Sequence, residues 1–405
     1  MTSIQNRYLV LIVMSLALFV MSLSITSLTP FIPLIITHYT ITNAEAGLLI
    51  SAFFLTYALV QVPIGAFSDK VDIRKILVLS FVTMLVGALI FHISPNFHIA
   101  VLGRAIIGLG AGSIYIPGIK LISGVFPSSQ RGIAIGIYGG IGQGAMFLSI
   151  STLIPLMNFF QSDWLVMHTL LVLPSLLIIV LVILFIRSPD RLHSSNQTIL
   201  RNIVSVSKNR RGLTLWAYVA IVGGSNWAIM YWAPTIIMAH NFPSDVSSFI
   251  GSMIPLSATV GNVLGGVIAD KVGNKRLVLI LSVPLQFLAF SFFLLSLTSR
   301  NEIFLIATLL AVGLFPYLLT LVYSWIFDIY QTGTSGTSLG IVNGMVFVGA
   351  VVYPFLMGLT LDLTQSYPMM ISVLISSQIL TLVSAFLSPR SAKLRRNHTN
   401  GSSDI

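Results

Sequence analysis

Apolar runs of about 20 residues recur about twelve times in this 405-residue chain, near positions 8–28, 45–66, 76–94, 99–122, 132–154, 165–187, 213–238, 247–269, 277–298, 303–326, 337–360 and 368–388. Counted in chain order, these are segments one to twelve. A helix of that length rises ~30 Å, the thickness of a bilayer's hydrocarbon layer. Inside that layer no water satisfies backbone amides and carbonyls, which leaves helices and closed barrels as the only spanning structures. Prolines and glycines interrupt many of the runs, which excludes amphipathic barrel strands and suits packed, bendable membrane helices. The expected fold is all-α integral membrane, with about twelve transmembrane helices. A soluble alternative fails on composition: with 56% hydrophobic and 8% charged residues, a globule in water would expose far too much apolar surface.

The formal net charge of +10 raises the question of a nucleic-acid partner, and the placement of the charges answers it. With a cytoplasmic N-terminus, loops on that side carry Lys70, Arg74, Lys75, Arg131, Arg187, Arg191, Arg201, Lys208, Arg210, Arg211, Lys271, Lys275 and Arg276. The tail adds Arg390, Lys393, Arg395 and Arg396. The opposite loops carry Arg300 together with the acidic Glu45, Asp163, Asp245, Glu302 and Asp362. By the positive-inside rule both termini are expected in the cytoplasm, and the basic excess encodes topology rather than nucleic-acid binding. Arg7 precedes segment one as in a secretory leader, but the run is long and no small-residue cleavage site follows it, so a retained helix is expected. The absence of cysteine removes disulfide and thiol chemistry.

Two copies of one charged signature interrupt the apolar pattern: Gly65-Ala-Phe-Ser-Asp69-Lys70-Val-Asp72-Ile73-Arg74-Lys75 and Gly266-Val-Ile-Ala-Asp270-Lys271-Val-Gly273-Asn274-Lys275-Arg276. Their aspartates lie 201 residues apart (270 minus 69), about half the chain. Each copy follows a run ending in Gly-x-x-x-Asp and precedes another run, as a tight loop in which cations pair with a carboxylate. Gly132, Gly136 and Gly140 return as Gly336, Gly340 and Gly344, 204 residues on (336 minus 132). A duplicated half is the simplest reading. The stretch from Arg187 to Arg211 is rich in Ser, Asn and cations and separates the copies. The expected organisation is a six-helix bundle over 1–187, a cytoplasmic linker over 188–212, a second bundle over 213–388 and a cytoplasmic tail over 389–405.

The signature resembles the loop between the second and third helices of major facilitator superfamily transporters, and its repeat falls at the corresponding loop between helices eight and nine. The resemblance extends over nearly the whole chain. It implies two pseudo-symmetric bundles that rock about a shared midplane pocket, moving a small solute by alternating access as a monomer without a cofactor. Asp69 and Asp270 end their helices, where a lone carboxylate is unfavourable beside the negative pole of the helix dipole. Lys70, Arg74 and Lys75, or Lys271, Lys275 and Arg276, supply local partners. The resemblance further implies that each carboxylate caps a helix of the other half: Asp69 at Thr334–Ser335, which opens segment eleven, and Asp270 near Gly132, which opens segment five. Gly65, Asp69, Arg74, Lys75, Gly266, Asp270, Lys275 and Arg276 would then form a latch on the cytoplasmic side; a static loop staple is the plainer reading. The first copy has Asp72 where Gly is usual and Ile73 where a cation is common, which predicts a weaker latch.

Segment four begins Gly103-Arg104-Ala-Ile-Ile-Gly108-Leu-Gly110-Ala-Gly112, similar to the family's Arg-x-x-x-Gly-x-Gly-x-Gly pattern. Arg104 lies about 8 Å inside its helix at ~1.5 Å per residue, a depth at which it costs a few kcal/mol unless it faces water, protein or ligand. Gly108, Gly112 and Tyr115 share roughly its face, so the glycines admit another helix while Arg104 turns to a cavity. Snorkelling or a structural hydrogen bond are the alternatives. Lys120, sixteen residues on, falls on nearly the opposite face near the boundary and reads as a snorkelling cation. Gly136, Gly139, Gly140, Gly142 and Gly144 make segment five a surface on which a neighbour slides. Family antiporters for drugs usually carry a Gly-Pro pair there, and its lack lowers the drug-export reading without eliminating it. By the resemblance, cavity-lining candidates are the hydroxyls of Ser15, Ser22, Thr26 and Thr29 in segment one, with Tyr57, Gln61, Gln143, Asn226, Trp227, Tyr231, Trp232, Asn262, Tyr317 and Asn343. Each serves a neighbouring helix as readily as a ligand.

No Asp or Glu falls in the middle third of any run, although proton-coupled carriers commonly use such a carboxylate. The histidines do not obviously replace it, because His38, His92, His98, His168 and His240 fall at outer ends or loops and His193 and His398 are cytoplasmic. Facilitated diffusion, exchange of two solutes, and coupling through Glu45, Asp328 or the substrate's own charge stay open. An unpaired Arg104 favours a solute with a carboxylate or other anionic group, such as an amino acid or organic acid. There is no metal-ligand spacing, nucleophile elbow or phosphate loop, so neither a membrane enzyme nor an ATP-driven pump is expected. The leading function is a secondary active or facilitative transporter in the inner or plasma membrane. The alternatives are a multidrug or metabolite exporter and a non-transporting solute sensor, although sensors usually add a signalling domain.

Overall fold

The computed structural model describes residues 6–187, 210–272, 274–314, 319, 321–323, 325 and 335–389. Helices follow the apolar runs. Segment one is Arg7–Thr26, a 3-10 turn Thr29–Phe31 and Ile32–Tyr39; segment two is Asn43–Lys70 and segment three Ile73–His92. Segment four is Phe97–Gly112 and Tyr115–Val125, segment five Ser128–Phe159, and segment six Trp164–Leu170 and Ser175–Phe185. Segment seven is Arg210–Met238, segment eight Ser244–Gly251 and Met253–Lys271, and segment nine Lys275–Ser299. Segment ten begins as Glu302–Leu314, and segments eleven and twelve are Ser335–Thr364 and Tyr367–Leu387. Among the described residues there is no strand, and ten helices are long and apolar enough to cross a membrane.

The interruptions have local causes. Segment one breaks where Pro30 and Pro33, which lack an amide proton, each sit at the start of a new helical turn. Polar side chains finish the ends: Asp72 accepts from Arg74 N at 2.8 Å, Asp163 from Leu165 N at 2.7 Å, and Thr42 and Glu45 form a reciprocal capping box on segment two. Glu45 is thus committed to a helix end rather than to the membrane interior.

Two turns carry the duplication into the backbone. Thr40 and Asn241, 201 residues apart (241 minus 40), close the first hairpin of each half with positive φ of 51° and 65°. Gln161 and Gln365, 204 residues apart (365 minus 161), do the same for the last hairpin at 47° and 52°. The two spacings equal those of the repeated charged signature and of the repeated glycines. Left-handed backbone is unfavourable for residues with a Cβ, so its recurrence at matched positions reflects an inherited turn geometry.

Segments one to six pack on one another chiefly through pairs three–four, two–four, one–five and three–six; segments seven to twelve through seven–eleven, eight–ten, seven–twelve and nine–twelve. The two groups meet through segments two and eleven, five and eight, and one and seven. Leu59, Leu79, Leu177, Leu281 and Ile379 stand more than half exposed on the outer faces, as expected where lipid replaces water. The end bearing Arg74, Lys75, Arg131 and Arg276 is called the basic face here, and the end bearing Glu45, Asp163, Asp245 and Asp362 the acidic face.

Candidate functional site

Segment four brings Arg104 to full burial beside segments one and two. Its Nη1 donates to the Ser24 carbonyl at 3.5 Å, and the guanidinium lies 4.8 Å from the centre of the Phe53 ring. Nε and Nη2 make no hydrogen bond of standard geometry, and the Tyr231 hydroxyl is the polar side-chain group that approaches the guanidinium. Close packing of segment four on segment two makes this depth possible: a methyl group at Gly112 would lie 2.5 Å from Val60 Cγ1, and one at Gly108 would meet the Phe53 and Thr56 positions. A guanidinium with two free donors in a dry setting is a strong attractor for a planar or tetrahedral oxyanion.

The second half reaches the same level. The Tyr231 hydroxyl donates to the Ile25 carbonyl, joining segment seven to segment one next to Ser24. Its ring meets Phe54 edge-on at 5.8 Å, Trp227 lies 4.9 Å from Phe54, and Phe347 lies 5.7 Å from Phe54 and 4.3 Å from Tyr57. Five rings from segments two, seven and eleven therefore form one aromatic layer spanning both halves.

One step toward the basic face, a polar chain crosses between the halves. Tyr323 OH donates to Asn343 Oδ1 at 3.2 Å, Asn343 Nδ2 to Gln61 Oε1 at 3.3 Å, and Gln61 Nε2 to the Gly112 carbonyl at 3.2 Å. Toward the acidic face the seam between segments two and eleven tightens. Ser51 Oγ donates to the Val351 carbonyl at 2.5 Å, and a methyl at Gly47 would lie 2.6 Å from the Pro354 carbonyl oxygen. At the end of the seam Asp362 accepts from Asn43 N at 3.0 Å, Asn43 Nδ2 at 2.7 Å and Ala44 N at 2.7 Å, capping segment two from the other half. Toward the basic face it ends: methyl groups built at Gly65, Gly132, Gly136, Gly139, Gly340 or Gly344 would meet nothing within 4 Å. Among the described residues, the space between the halves is closed at the acidic face and unfilled at the basic one.

A family model described as Major Facilitator Superfamily matches residues 14–255 and 215–403. The chain belongs to the Major Facilitator Superfamily. A probable sulfoacetate transporter of Cupriavidus necator is 24% identical over 95% of both chains. An uncharacterised transporter of the same superfamily type from Bacillus subtilis is 24% identical over 85% of this chain and 86% of its own. The solved structure of a bacterial homologue of the human lysosomal transporter Spinster, in an inward-facing and occupied conformation, superposes with a TM-score of 0.75 at 16% identity, covering 94% of this chain and 96% of that one. The protein is accordingly a multi-pass membrane transporter and not an enzyme.

Within this superfamily fold the other expected site residues are scattered. Tyr115 opens the second helix of segment four and stacks on Tyr138 at 5.7 Å. Gln143 is half-buried with an unpartnered Oε1; Asn226 is buried, and Asn262 is half-buried on segment eight. Trp232 is turned into its own half, donating to the Pro354 carbonyl at 3.1 Å. Ser15, Ser22, Thr26 and Thr29 are all buried on segment one. Tyr317, Asp328 and Thr334, the side chains of Asp69, Asp270 and Ser335, and the surroundings of Gly266 lie outside the described residues.

Of the latch cations, Arg74 pairs at 3.6 Å with Asp72, its own helix cap, and Arg276 donates to the Phe386 carbonyl of segment twelve. Lys75 and Lys275 stand in the first turns of their helices, segments three and nine. In this conformation Arg74 and Arg276 thus hold partners inside their own halves. Lys120 departs from the snorkelling expectation: its Nζ donates to the Gly65 carbonyl and the Ser68 hydroxyl, each at 2.6 Å, so it ties segment four to the end of segment two. The glycine surface of segment five is largely vacant here, with Gly142 alone pressed on Leu18 and Ser22 at 3.1 Å.

His168 stands at the end of its segment, as expected, and is fully buried there. Sequence reasoning further missed Phe53, Phe54 and Phe347, which read as ordinary apolar core, and Tyr323, which stands six residues from the chosen Tyr317. Asp362 reads from the sequence as a loop residue, and no residue pattern singles it out as a cap on segment two.

Proposed function

We propose that this transporter is a secondary carrier of a small organic anion working by alternating access, with its basic face in the cytoplasm of an inner or plasma membrane. The described conformation is then the inward-open one. The bundles over 1–187 and 213–388 act as the rocking units and 188–212 as their connector. One observation carries the anion assignment: Arg104 is fully buried near the meeting of the halves with two unpartnered donors. A bare guanidinium in a low-dielectric interior is costly, and a bound carboxylate or sulfonate removes that cost. Tyr57, Gln61, Tyr115, Gln143, Asn226, Trp227, Tyr231, Asn262, Tyr317 and Asn343 are proposed to line the path. Gly65, Asp69, Arg74, Lys75, Gly266, Asp270, Lys275 and Arg276 are proposed to latch the basic face when the carrier turns outward. The Cupriavidus relative carries the name of sulfoacetate, an organic anion, which supports the same class of solute.

Uptake of radiolabelled sulfoacetate and malonate into liposomes bearing the purified protein tests the reading. R104Q should lower uptake about 100-fold, the loss of one charge-assisted interaction of ~3 kcal/mol, and R104K should recover part of it. Undiminished uptake by R104Q would remove the anion assignment. The aromatic layer favours a second reading, a carrier for flat apolar solutes; ethidium transport unaffected by R104Q would select it.

A further inference from the structure

We infer that His168 is the site that couples solute movement to protons: its imidazole takes up one proton as an anion docks on Arg104 and gives it up when the anion leaves. The inference rests on Arg104 being the anion site. Arg104 and His168 are the two side chains with cationic groups that are fully buried among the described residues. A neutral imidazole has one donor and one acceptor, and buried examples normally satisfy both. Neither Nδ1 nor Nε2 of His168 has a partner. Two other histidines show the ordinary structural use: His240 Nδ1 sits 2.7 Å from the Ile236 carbonyl, and His92 Nδ1 sits 2.9 Å from Thr169 Oγ1. His168 has no such anchor.

Its surroundings lead to Arg104. The ring packs on Phe91 at 4.6 Å, and the Phe91 backbone presses on Gly103, the residue before Arg104, where a methyl would lie 2.7 Å from Phe91 N. Phe91 of segment three thus touches the imidazole on one side and the residue before Arg104 on the other. The charged neighbours are identifiable. Segment four presents Arg104, and segment three presents His92, whose Nδ1 stands 2.9 Å from Oγ1 of Thr169, the residue after His168. On its own segment Asp163 is spent capping Leu165 N. From the outer end of segment one His38 stands edge-on to Trp164 at 5.5 Å, and Tyr39 is bonded to Ser94 Oγ at 2.6 Å. Segment five carries no ionisable residue between Tyr138 and Asp163, nor segment one between Tyr8 and His38.

Among the described residues, carboxylates leave this role empty. The six whose side chains are described stand at helix ends: Glu45, Asp72 and Asp163 as caps, Asp245 and Glu302 in first turns, and Asp362 on segment two. With Arg104 bare, a second positive charge nearby in a low-dielectric interior is strongly opposed. An anion on Arg104 cancels that field and so favours the protonated imidazole. Linkage makes the effect mutual, so a protonated His168 binds the anion tighter by the same factor that the anion favours the proton. A monoanion and one proton then cross without net charge, whereas a dianion such as sulfoacetate crosses with one proton and carries one net negative charge.

The test uses the full-length protein in detergent and weak buffer, with a soluble pH dye, titrated with sulfoacetate or malonate between about pH 5.5 and 8, the range in which imidazole titrates. Binding is followed in parallel by calorimetry. The wild type should take up about one proton per anion bound, with the yield falling at the acid end where the site is already protonated. H168Q and H168N should bind the anion with little proton uptake. In liposomes they should lose accumulation driven by a pH gradient while still exchanging labelled for unlabelled anion, a split that a merely structural role would not produce. Proton uptake and gradient-driven accumulation equal to wild type in H168Q would overturn the inference. If both variants aggregate, the wild-type stoichiometry decides: anion binding with no proton across the range overturns it. Failure of either anion to bind the wild type would instead bring down the Arg104 reading, and this inference with it.

Discussion

Segments two and eleven make opposite ends of one interface, and the two ends could hardly differ more. At the acidic face Asp362 caps segment two, Ser51 bonds across to Val351, and Gly47 sits against Pro354. At the basic face the flanking glycines Gly65, Gly340 and Gly344 have no described neighbour within 4 Å of an added methyl group. The comparison shows how one pair of helices serves both as seal and as opening. A carboxylate that finishes a helix in one half and caps a helix start in the other uses the positive pole of the second helix as its counter-charge. The resemblance to the superfamily implies this device for Asp69 and Asp270 at the basic face; the structure displays it at the acidic face with Asp362. Two such devices at opposite ends, engaged alternately, would give the bistability that rocking requires.

The sharpest way to break the comparison is to overfill the seal. Leucine at Gly358, whose position abuts the Asn43 backbone, should cost the sealed form about 3 kcal/mol by overpacking. Its population would fall about 100-fold, read as widened spin-label distances across the acidic face. Removing the cap is the next largest step. D362A abolishes three hydrogen bonds to a carboxylate and should cost ~2 kcal/mol, about a 30-fold shift toward opening at the acidic face, measured by thiol accessibility of introduced cysteines there. N343A cuts the cross-half link to Gln61 and should cost ~1 kcal/mol, about fivefold in the same assay. The smallest effect has the opposite sign. G136A and G340A fill open space on helices and should stabilise the described form by about 0.5–1 kcal/mol through helix propensity, seen as a raised Tm, whereas alanine at Gly47 should lower it. Equal destabilisation at Gly47 and Gly136 would erase the contrast.

Much of this architecture is legible in the residues because the bilayer imposes it. Hydropathy locates the segments, since each must be long and apolar, and the repeated signature at Asp69 and Asp270 reveals the two halves. Arg104 stands out because a cation inside an apolar run demands a reason. Pairing between helices is harder to read, because periodicity says which residues share a face and not what that face meets. Lys120 reads as an isolated cation until Gly65 and Ser68 are seen beside it. His168 stands near the outer start of its run, where hydropathy assigns a boundary. The break of segment six between Leu170 and Ser175 instead leaves a short helix whose His168 and Trp164 are buried. The aromatic layer is invisible for a different reason: Phe54 and Phe347 differ from lipid-facing phenylalanines only in where the folded halves place them.

The most direct test of a carrier sealed at its acidic face and open at its basic face is a pair of electron spin-echo distance measurements in liposomes. One label pair is placed at the exposed Thr40 and Gln365 of the acidic face, the other at the exposed Gln130 and Asn274 of the basic face. In the solute-free protein the acidic pair should give a narrow, short distribution and the basic pair a long one, and turnover conditions should lengthen the first while shortening the second. A long, broad acidic pair beside a short basic pair, or two pairs that never move in opposite senses, would contradict the account.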